Sequence, residues 1–281
     1  MLLPRNTMAA GRGGQLHLGV ERVAGESAVT RASATSPLKL LTPRPRGSSA
    51  WAYVSSYGGG MVAGDQHQLA VQIGPGATGF FGTQSSTKVY RSPDGQLCQQ
   101  SARVKVAAGG LLVWLPDPVQ AFAGARYRQD QEFRLEGSSG LVLLDGFTGG
   151  RSERGEHWAF EEYGSRTEVF VGGTRRLLDS VCLSSENSKL TVNRRMGACQ
   201  AMSLLLLLGP PLQEVANGIL GRIACLPATR GAAVRVSTSP VAGGALVRVA
   251  GVQVEAVRRQ IAELLSFLPR LLGDDPLARK W

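Results

Sequence analysis

Residues 67–76 read HQLAVQIGPG, and this stretch carries the signal that decides the fold class. Leu69, Val71 and Ile73 alternate with polar or small residues, so a β-strand would place all three on one face and leave the other face wet. The Gly-Pro-Gly that follows at residues 74–76 is typical of a tight turn. The stretch therefore predicts a short, half-buried strand that ends in a turn.

The same combination of a short strand and a turn recurs from Gln15 to Thr191. Further strands are predicted, with alternating or wholly apolar patterns, at residues 103–106, 111–115, 132–136, 140–144 and 168–171. Segments rich in Gly, Pro, Asp and Ser separate these strands at intervals of ~10–20 residues. This arrangement indicates a mainly β fold and not alternating βαβ units.

The pattern changes after about residue 196. The chain then shows an apolar strand, a helical pattern, two strands and an amphipathic helix, at residues 200–208, 210–222, 233–237, 245–249 and 257–268. This order predicts a smaller C-terminal β-α-β-β-α portion. We divide the chain into a disordered lead-in at 1–14, a β-rich domain at 15–195, an α/β portion at 196–272 and a tail at 273–281.

The composition bounds the possible partners. The 281 residues are 43% apolar and 19% charged, as in a globular protein, and the formal net charge is +10, with 26 Arg and 5 Lys. A basic surface suits nucleic acid, an anionic membrane or an acidic protein, so a basic β-rich nucleic-acid-binding module is the alternative function. The basic residues are nevertheless scattered, with no basic run interleaved with aromatic residues.

The sequence shows neither a cofactor-binding motif nor a membrane-spanning segment. The four cysteines, at positions 98, 182, 199 and 225, are too far apart for a CxxC motif or a paired-cysteine zinc site. The longest apolar run, Met202–Leu208, is far shorter than the ~20 residues that span a bilayer, and the first residues lack the apolar stretch of a secretory signal. We expect a cytoplasmic protein with no tightly bound cofactor.

Enzyme signatures are tested and rejected. In residues 79–90, Lys88 follows Thr87 and precedes Val89-Tyr90, whereas a phosphate-binding loop needs Gly-Lys-Ser/Thr at the start of a helix. The sequence has three histidines and no GxSxG or HExxH motif. A β-solenoid enzyme would show a fixed coil period, which this sequence lacks. We expect a protein that is not an enzyme.

Three polar segments remain: Ser55–Asp65 and Gly150–Glu156, which contain glycine, and the predicted polar strand Thr83–Tyr90. In this order and spacing they resemble the urease accessory protein D family, called H in some bacteria, and the similarity covers roughly residues 13–281. The residues that carry the match are Tyr57, Gly58, Gly59, Gly60, Gly64, Thr83, Gln84, Ser86, Thr87, Lys88, Tyr90, Arg151 and Gly155. Gly82 departs from the family, which often has Thr there, and the last six residues depart from its usual tail.

The resemblance implies a non-enzymatic scaffold that folds as a β-helix-like stack of short strands. Members of the family form a complex with urease accessory proteins F and G, and the G protein is a GTPase that carries nickel. This assembly docks on apo-urease to complete its dinickel site. A polar internal tunnel is implied to pass nickel toward urease, with the nickel bound only transiently.

Acidic residues in or near these segments are the candidate nickel contacts. A conduit needs ligands that release the cation again, and carboxylate and hydroxyl oxygens hold such metals more loosely than imidazole or thiolate. Asp65, which follows the glycine-rich turn, and Asp145, predicted to end a buried strand, are the first candidates. Glu156 and Glu168 are the others. An ion pair with Arg151 is an equally good interpretation of Glu156.

Overall fold

The computed structural model describes residues 13–44, 47–184, 190–227, 229 and 231–278. Of the predicted lead-in, residues 1–12 lie outside this range, as do residues 279–281 of the predicted tail. None of the described helices is long and apolar enough to cross a membrane.

The strands in chain order are β1 Gly14–Val23, β2 Glu26–Ala34, β3 Leu38–Leu41, β4 Ala50–Ser56, β5 Gln66–Ile73, β6 Thr78–Thr83, β7 Lys88–Val89, β8 Cys98–Val106, β9 Leu111–Leu115, β10 Val119–Ala121, β11 Arg126–Leu135, β12 Gly140–Thr148, β13 Glu162–Val171, β14 Thr174–Ser184, β15 Ala201–Leu208, β16 Val234–Val241 and β17 Gly244–Gly251. The helices are α1 Val192–Met196, α2 Gln213–Ala224, α3 Val254–Leu264 and α4 Leu268–Leu272.

The strands form two sheets that face each other, and from β4 to β13 the longer strands alternate between them. Sheet A has the order β14-β13-β11-β8-β5-β1-β2, and sheet B has the order β16-β17-β15-β12-β9-β6-β4-β3, with β10 and β7 attached beside β12. Within sheet A, β1, β5, β8, β11 and β13 are parallel; within sheet B, β4, β6, β9 and β12 are parallel. This coiled arrangement confirms the predicted β-helix-like stack.

The coils differ in length, which explains why the sequence shows no fixed period. In sheet A, Gln66 of β5 lies beside Gln99 of β8, Cys98 lies beside Tyr127, and Arg126 lies beside Glu162. These partners are 33, 29 and 36 residues apart in the chain. The longest of these three coils contains the loop between β12 and β13, which includes the Gly150–Glu156 segment.

The C-terminal portion continues sheet B. Its β15 pairs antiparallel with β12, and β17 and β16 follow at the edge, so the predicted β-α-β-β-α order is confirmed. In β15, Leu204, Leu206 and Leu208 face the core between the sheets, while Leu205 and Leu207 pack under α2 and α3. The division at residue 195 stays a prediction.

Two local predictions differ from the structure. Thr83–Tyr90 is not one polar strand, because β6 ends at Thr83, residues 84–87 form a loop, and β7 is only Lys88–Val89. The helix α1 was not expected; it has five residues and starts after Thr191, whose hydroxyl accepts a hydrogen bond from the Arg194 amide at 3.3 Å. A helix this short has no legible apolar period.

A buried polar layer between the sheets

Polar side chains occupy the core-facing positions of two neighbouring strands. In β11 the side chains of Gln129 and Gln131 point into the core, and the next inward residue along the strand is the apolar Phe133. In β13 the inward side chains are Ser165 and Thr167. All four polar side chains are at most 5% exposed. Buried polar groups require hydrogen-bonding partners, so this layer needs an acceptor from the facing sheet.

Asp145 of β12 supplies that acceptor. Gln129 Nε2 donates to Asp145 Oδ1 and Oδ2 at 2.9 Å each, and Ser165 Oγ donates to Oδ2 at 3.0 Å. Gln131 Nε2 and Thr167 Oγ1 lie 3.3 and 3.5 Å from Oδ2. The strand continues to Thr148, so the prediction that Asp145 ends it is wrong. Asp145 instead lies inside the strand, at the centre of the polar layer.

The layer removes the carboxyl group of Asp145 from bulk water. Burial raises the pKa of Asp145 above its ordinary 3.8, and the hydrogen bonds from Gln129 and Ser165 oppose that shift. Burial also raises the pKa of Tyr127 and Tyr163 well above 10, so both phenols keep their protons. The Tyr127 hydroxyl donates to Gln129 Oε1 at 3.1 Å, which orients the amide toward Asp145.

Two cavities meet at Asp145. The first, of about 60 Å³, lies between the sheets and reaches the exposed residues Gly59 and Ser85. The second, of about 50 Å³, lies on the other side of Asp145 and reaches the exposed Arg248. Each has room for roughly four water molecules at ~10–15 Å³ per water. The accessible surface of Asp145 therefore faces cavities within the protein.

The walls of the first cavity are suited to water. His67 is 2% exposed and Trp114 is 1% exposed, and within the described part of the chain His67 Nε2 and Trp114 Nε1 have no hydrogen-bonding partner. Such buried donors and acceptors are usually satisfied by ordered water. Thr83 also lines this cavity, and its hydroxyl donates to Asp117 at 2.9 Å. The first cavity is thus a polar space with several oxygen ligands in its wall.

The glycine-rich motif forms the mouth of the first cavity. Gly58 and Gly59 have φ of +83° and +70°, which favours glycine, and Tyr57 beside them is 64% exposed. The Met61 amide donates to the Lys88 carbonyl at 2.8 Å, which joins the motif to β7. Gly60, Ser86 and Thr87 also line this cavity. Lys88 and Tyr90 contact the glycine-rich loop from β7 and the residue after it. Gln84 is exposed nearby and lines neither cavity.

Asp65 has a local partner. Its Oδ2 accepts a hydrogen bond from the Val62 amide at 2.8 Å, closing the turn that precedes β5, and it lines neither cavity. Gly64 in this turn has a φ of +83°. Burial lowers the pKa of neighbouring His67, although the charge of Asp65 opposes that shift, and burial raises the pKa of Cys98 to about 11. Both side chains are therefore held in their neutral forms.

Glu156 and Glu168 lie elsewhere, each beside arginine. Glu156 forms an ion pair with Arg151, whose Nε lies 3.0 Å from Oε2, and this hydrogen bond lowers the pKa of Glu156. Gly155, with a φ of +76°, ends the short turn between them. Glu168 is 3% exposed on the outer face of sheet A, 3.2 Å from Arg166 and 3.3 Å from Arg175.

The structure therefore separates the four acidic candidates and places only Asp145 in the cavity walls. Within the described residues, no three His, Cys, Asp or Glu side chains converge to hold a metal ion. The polar partners of Asp145 were missed from the sequence. The signal was present, because the alternation seen at Phe133 and Leu135 extends back in steps of two to Gln131 and Gln129.

Comparison with known proteins identifies similar chains. The family model described as UreD urease accessory protein matches residues 12–281. "Urease accessory protein UreD" of Sorangium cellulosum is 46% identical over 273 residues, which is 97% of this chain and 86% of that protein. "Urease accessory protein UreD" of Anaeromyxobacter is 41% identical over 95% of this chain and 90% of its own length. "Urease accessory protein D" of Oryza sativa subsp. indica is 39% identical over 70% of this chain and 65% of its own length.

Proposed function

The chain belongs to the UreD family of urease accessory proteins, and from this premise we propose that it is a non-enzymatic scaffold that passes nickel to apo-urease through its interior. A role in urease maturation follows from the family itself. The route, the cargo and the partners are the proposed part.

The position of Asp145 carries the proposal. The Asp145 carboxylate borders both cavities, which reach exposed residues on different parts of the surface, so a cation that crosses between the sheets would meet it. Its neighbours are the amide group of Gln129 and the hydroxyl group of Ser165. Carboxylate and hydroxyl oxygens bind a divalent nickel ion more loosely than imidazole or thiolate does, which allows its release. Asp145 is thus the proposed weak transit ligand. Asp65 instead accepts the hydrogen bond that closes the turn before β5.

The same path suggests how the partners are arranged. We propose that accessory protein F binds this chain, that the GTPase G joins through F and supplies nickel, and that apo-urease receives it. The lack of enzymatic activity is part of this proposal. Its support is that Lys88 lies in strand β7 and not at the start of a helix, so residues 79–88 do not form a phosphate-binding loop.

The alternative nucleic-acid-binding function loses support from the outer face of sheet A. Arginines on this face lie beside carboxylates, in the pairs Arg103–Asp130, Arg128–Glu162, Arg134–Glu132 and Arg175–Glu168. A guanidinium group paired in this way contributes less positive potential to a phosphate backbone.

The test is urease activation in a reconstituted system with Asp145→Asn, which keeps the volume and removes the charge. We expect activation to fall at least tenfold while F, G and apo-urease are still pulled down. Asp65→Asn is the matched control, because it makes the same chemical change outside the cavities. Normal activation by D145N, or loss of the complexes, would overturn the proposed route.

A further inference from the structure

The two cavities are separated by one hydrogen-bonded group. Gln129 Nε2 lies 2.9 Å from both Asp145 oxygens and 2.8 Å from Ser165 Oγ, so a single amide nitrogen spans the junction. Gln129 lines the first cavity, Ser165 lines the second, and Asp145 lines both. In this arrangement the N–H groups point at the place where a cation would contact the carboxylate.

We infer that Gln129 is the gate of the path: its side-chain amide must turn over before a divalent cation can pass Asp145. This inference rests on the proposed function. An amide nitrogen carries hydrogens and no lone pair for a metal, whereas the amide oxygen is a good ligand for hard and borderline cations. A half-turn of the amide would replace the two donors with Oε1.

The spacing of the group fits this exchange. Two adjacent ligand oxygens around an octahedral cation with bonds of about 2.1 Å are about 3 Å apart. Gln129 Nε2 already lies 2.9 Å from each Asp145 oxygen, so Oε1 in the same place would complete a pair of ligands without a backbone shift. Ser165 Oγ, 3.0 Å from Oδ2, would supply a third oxygen.

The surroundings explain why the gate is closed in the absence of a cation. The Tyr127 hydroxyl donates to Oε1 at 3.1 Å and so holds the amide with Nε2 toward Asp145. With the amide turned over, Oε1 would face the carboxylate without a hydrogen between them, which is repulsive unless a cation lies there. The arriving cation would therefore itself favour the open orientation.

Gln129→Glu tests the gate, because it keeps the size of the side chain and replaces the donor with a second carboxylate. With Ni²⁺ alone as the probe and calorimetry on the full chain, we expect Q129E to bind at least tenfold more tightly than the wild type. We also expect slower urease activation, since the cation is retained. The double variant Q129E/D145N exchanges acid and amide, restores a donor facing an acceptor, and should return both quantities to within about threefold of wild type.

Gln100→Glu is the matched control, because Gln100 lines the same cavity and has no hydrogen bond to Asp145 among the described contacts. Equal tightening in Q100E and Q129E would attribute the effect to charge and overturn the gate. Wild-type nickel affinity and activation in Q129E would also overturn it, even if D145N abolishes activation and the proposed function stands. Normal activation by D145N would remove the proposed function itself. If Q129E does not fold, failure of the double variant to activate better than D145N overturns the gate.

Discussion

Buried acids in this protein occur in two chemical settings, and the setting predicts their role. On the outer face of sheet A, Glu162 and Glu168 are at most 5% exposed beneath arginine side chains. Asp145 is held by uncharged amides and hydroxyls in the cavity walls. An acid paired with guanidinium already has a positive partner, whereas an acid among uncharged dipoles has none, so a cation can take that place. The second setting is the one that suits transport.

Removal of the Asp145 charge should change how stability depends on pH. Its folded pKa is raised, so from about pH 3.8 up to the folded pKa the folded state holds a proton that the unfolded state has lost. Across that window the free energy of unfolding of the wild type should fall by about 1.4 kcal/mol per pH unit. D145N has no titrating group at this position, so its free energy of unfolding should lack this fall.

Thermal midpoints of both proteins between pH 3.5 and 8 measure this effect. We expect the wild type to lose stability relative to D145N as the pH rises through the window, and the difference to level off above it. A difference between the two proteins that does not change with pH would show that the carboxyl group is not perturbed.

Glu168 should contribute to stability and not to transport, in contrast to Asp145. Glu168→Gln leaves the guanidinium of Arg166, whose side chain is 11% exposed, without the ionised oxygen that lies 3.2 Å from it. We expect the free energy of unfolding to fall by about 1–3 kcal/mol, measured by chemical denaturation, with activation by the folded protein unchanged. Glu153→Gln, at an exposed position, is the control and should stay within about 0.5 kcal/mol. Loss of activation in stable E168Q would instead give Glu168 a transport role.

At the scale of elements, the cavity mouth depends on the close approach of the glycine-rich loop to β7. A Cβ atom on Gly60 would lie 2.6 Å from the Lys88 carbonyl oxygen and 2.8 Å from the Tyr90 ring. The loop would have to move away, which disturbs the hydrogen bonds from the Met61 amide to Lys88 and from the Tyr90 amide to Met61.

Gly60→Ala is therefore expected to cost about 2 kcal/mol, from two backbone hydrogen bonds of about 1 kcal/mol each. Gly58→Ala is the comparison. A Cβ on Gly58 would have no atom within 4 Å, so the cost comes only from placing alanine at a φ of +83°, about 1 kcal/mol. Chemical denaturation of both variants decides the order. A larger loss in G58A would mean that the contact with β7 does not hold the mouth.

The sequence predicts elements well where their pattern is local. The alternation at residues 67–73 and the apolar run at 111–115 both became strands, because period and burial are properties of a few adjacent residues. The loop at residues 84–87 was missed because its residues suit a strand, whereas the described backbone hydrogen bonds reach only its two ends, where Gln84 donates to Val54 and Thr87 accepts from Gln120. The β9 partner of β6 ends at Leu115, and Pro116 follows.

The site was only partly predictable for a related reason. Asp145 is visible in the sequence as an acid in an apolar run, but its contacts with Gln129 and Ser165 cross from one sheet to the other. Those contacts depend on how many residues each coil contains, and the coils from β5 to β13 vary between 29 and 36 residues. Local patterns do not determine that register.

At the scale of the whole molecule, two of the three hydrophobic clusters among the described residues draw on both ends of the chain. Leu16 and Leu18 of β1 pack in the same cluster as Leu206 of β15, and Trp51 of β4 shares a cluster with Ile261 of α3. The Ser49 hydroxyl also donates to the Leu272 carbonyl at 2.8 Å, which joins the segment before β4 to the last helix. Neither portion of the chain can lose the other without exposing apolar surface.

The chain should accordingly unfold in one transition, although stacked coils can in principle unfold one by one. The calorimetric enthalpy should equal the van't Hoff enthalpy, because β15 pairs with β12 along eight residue pairs and buries leucines on both faces. A chain that stops at residue 199 should be insoluble, since β12 would lose its neighbouring strand β15 and the core would lose the leucines at 204–208. Two separate transitions, or a soluble and folded truncated chain, would show instead that residues 15–195 form a domain of their own.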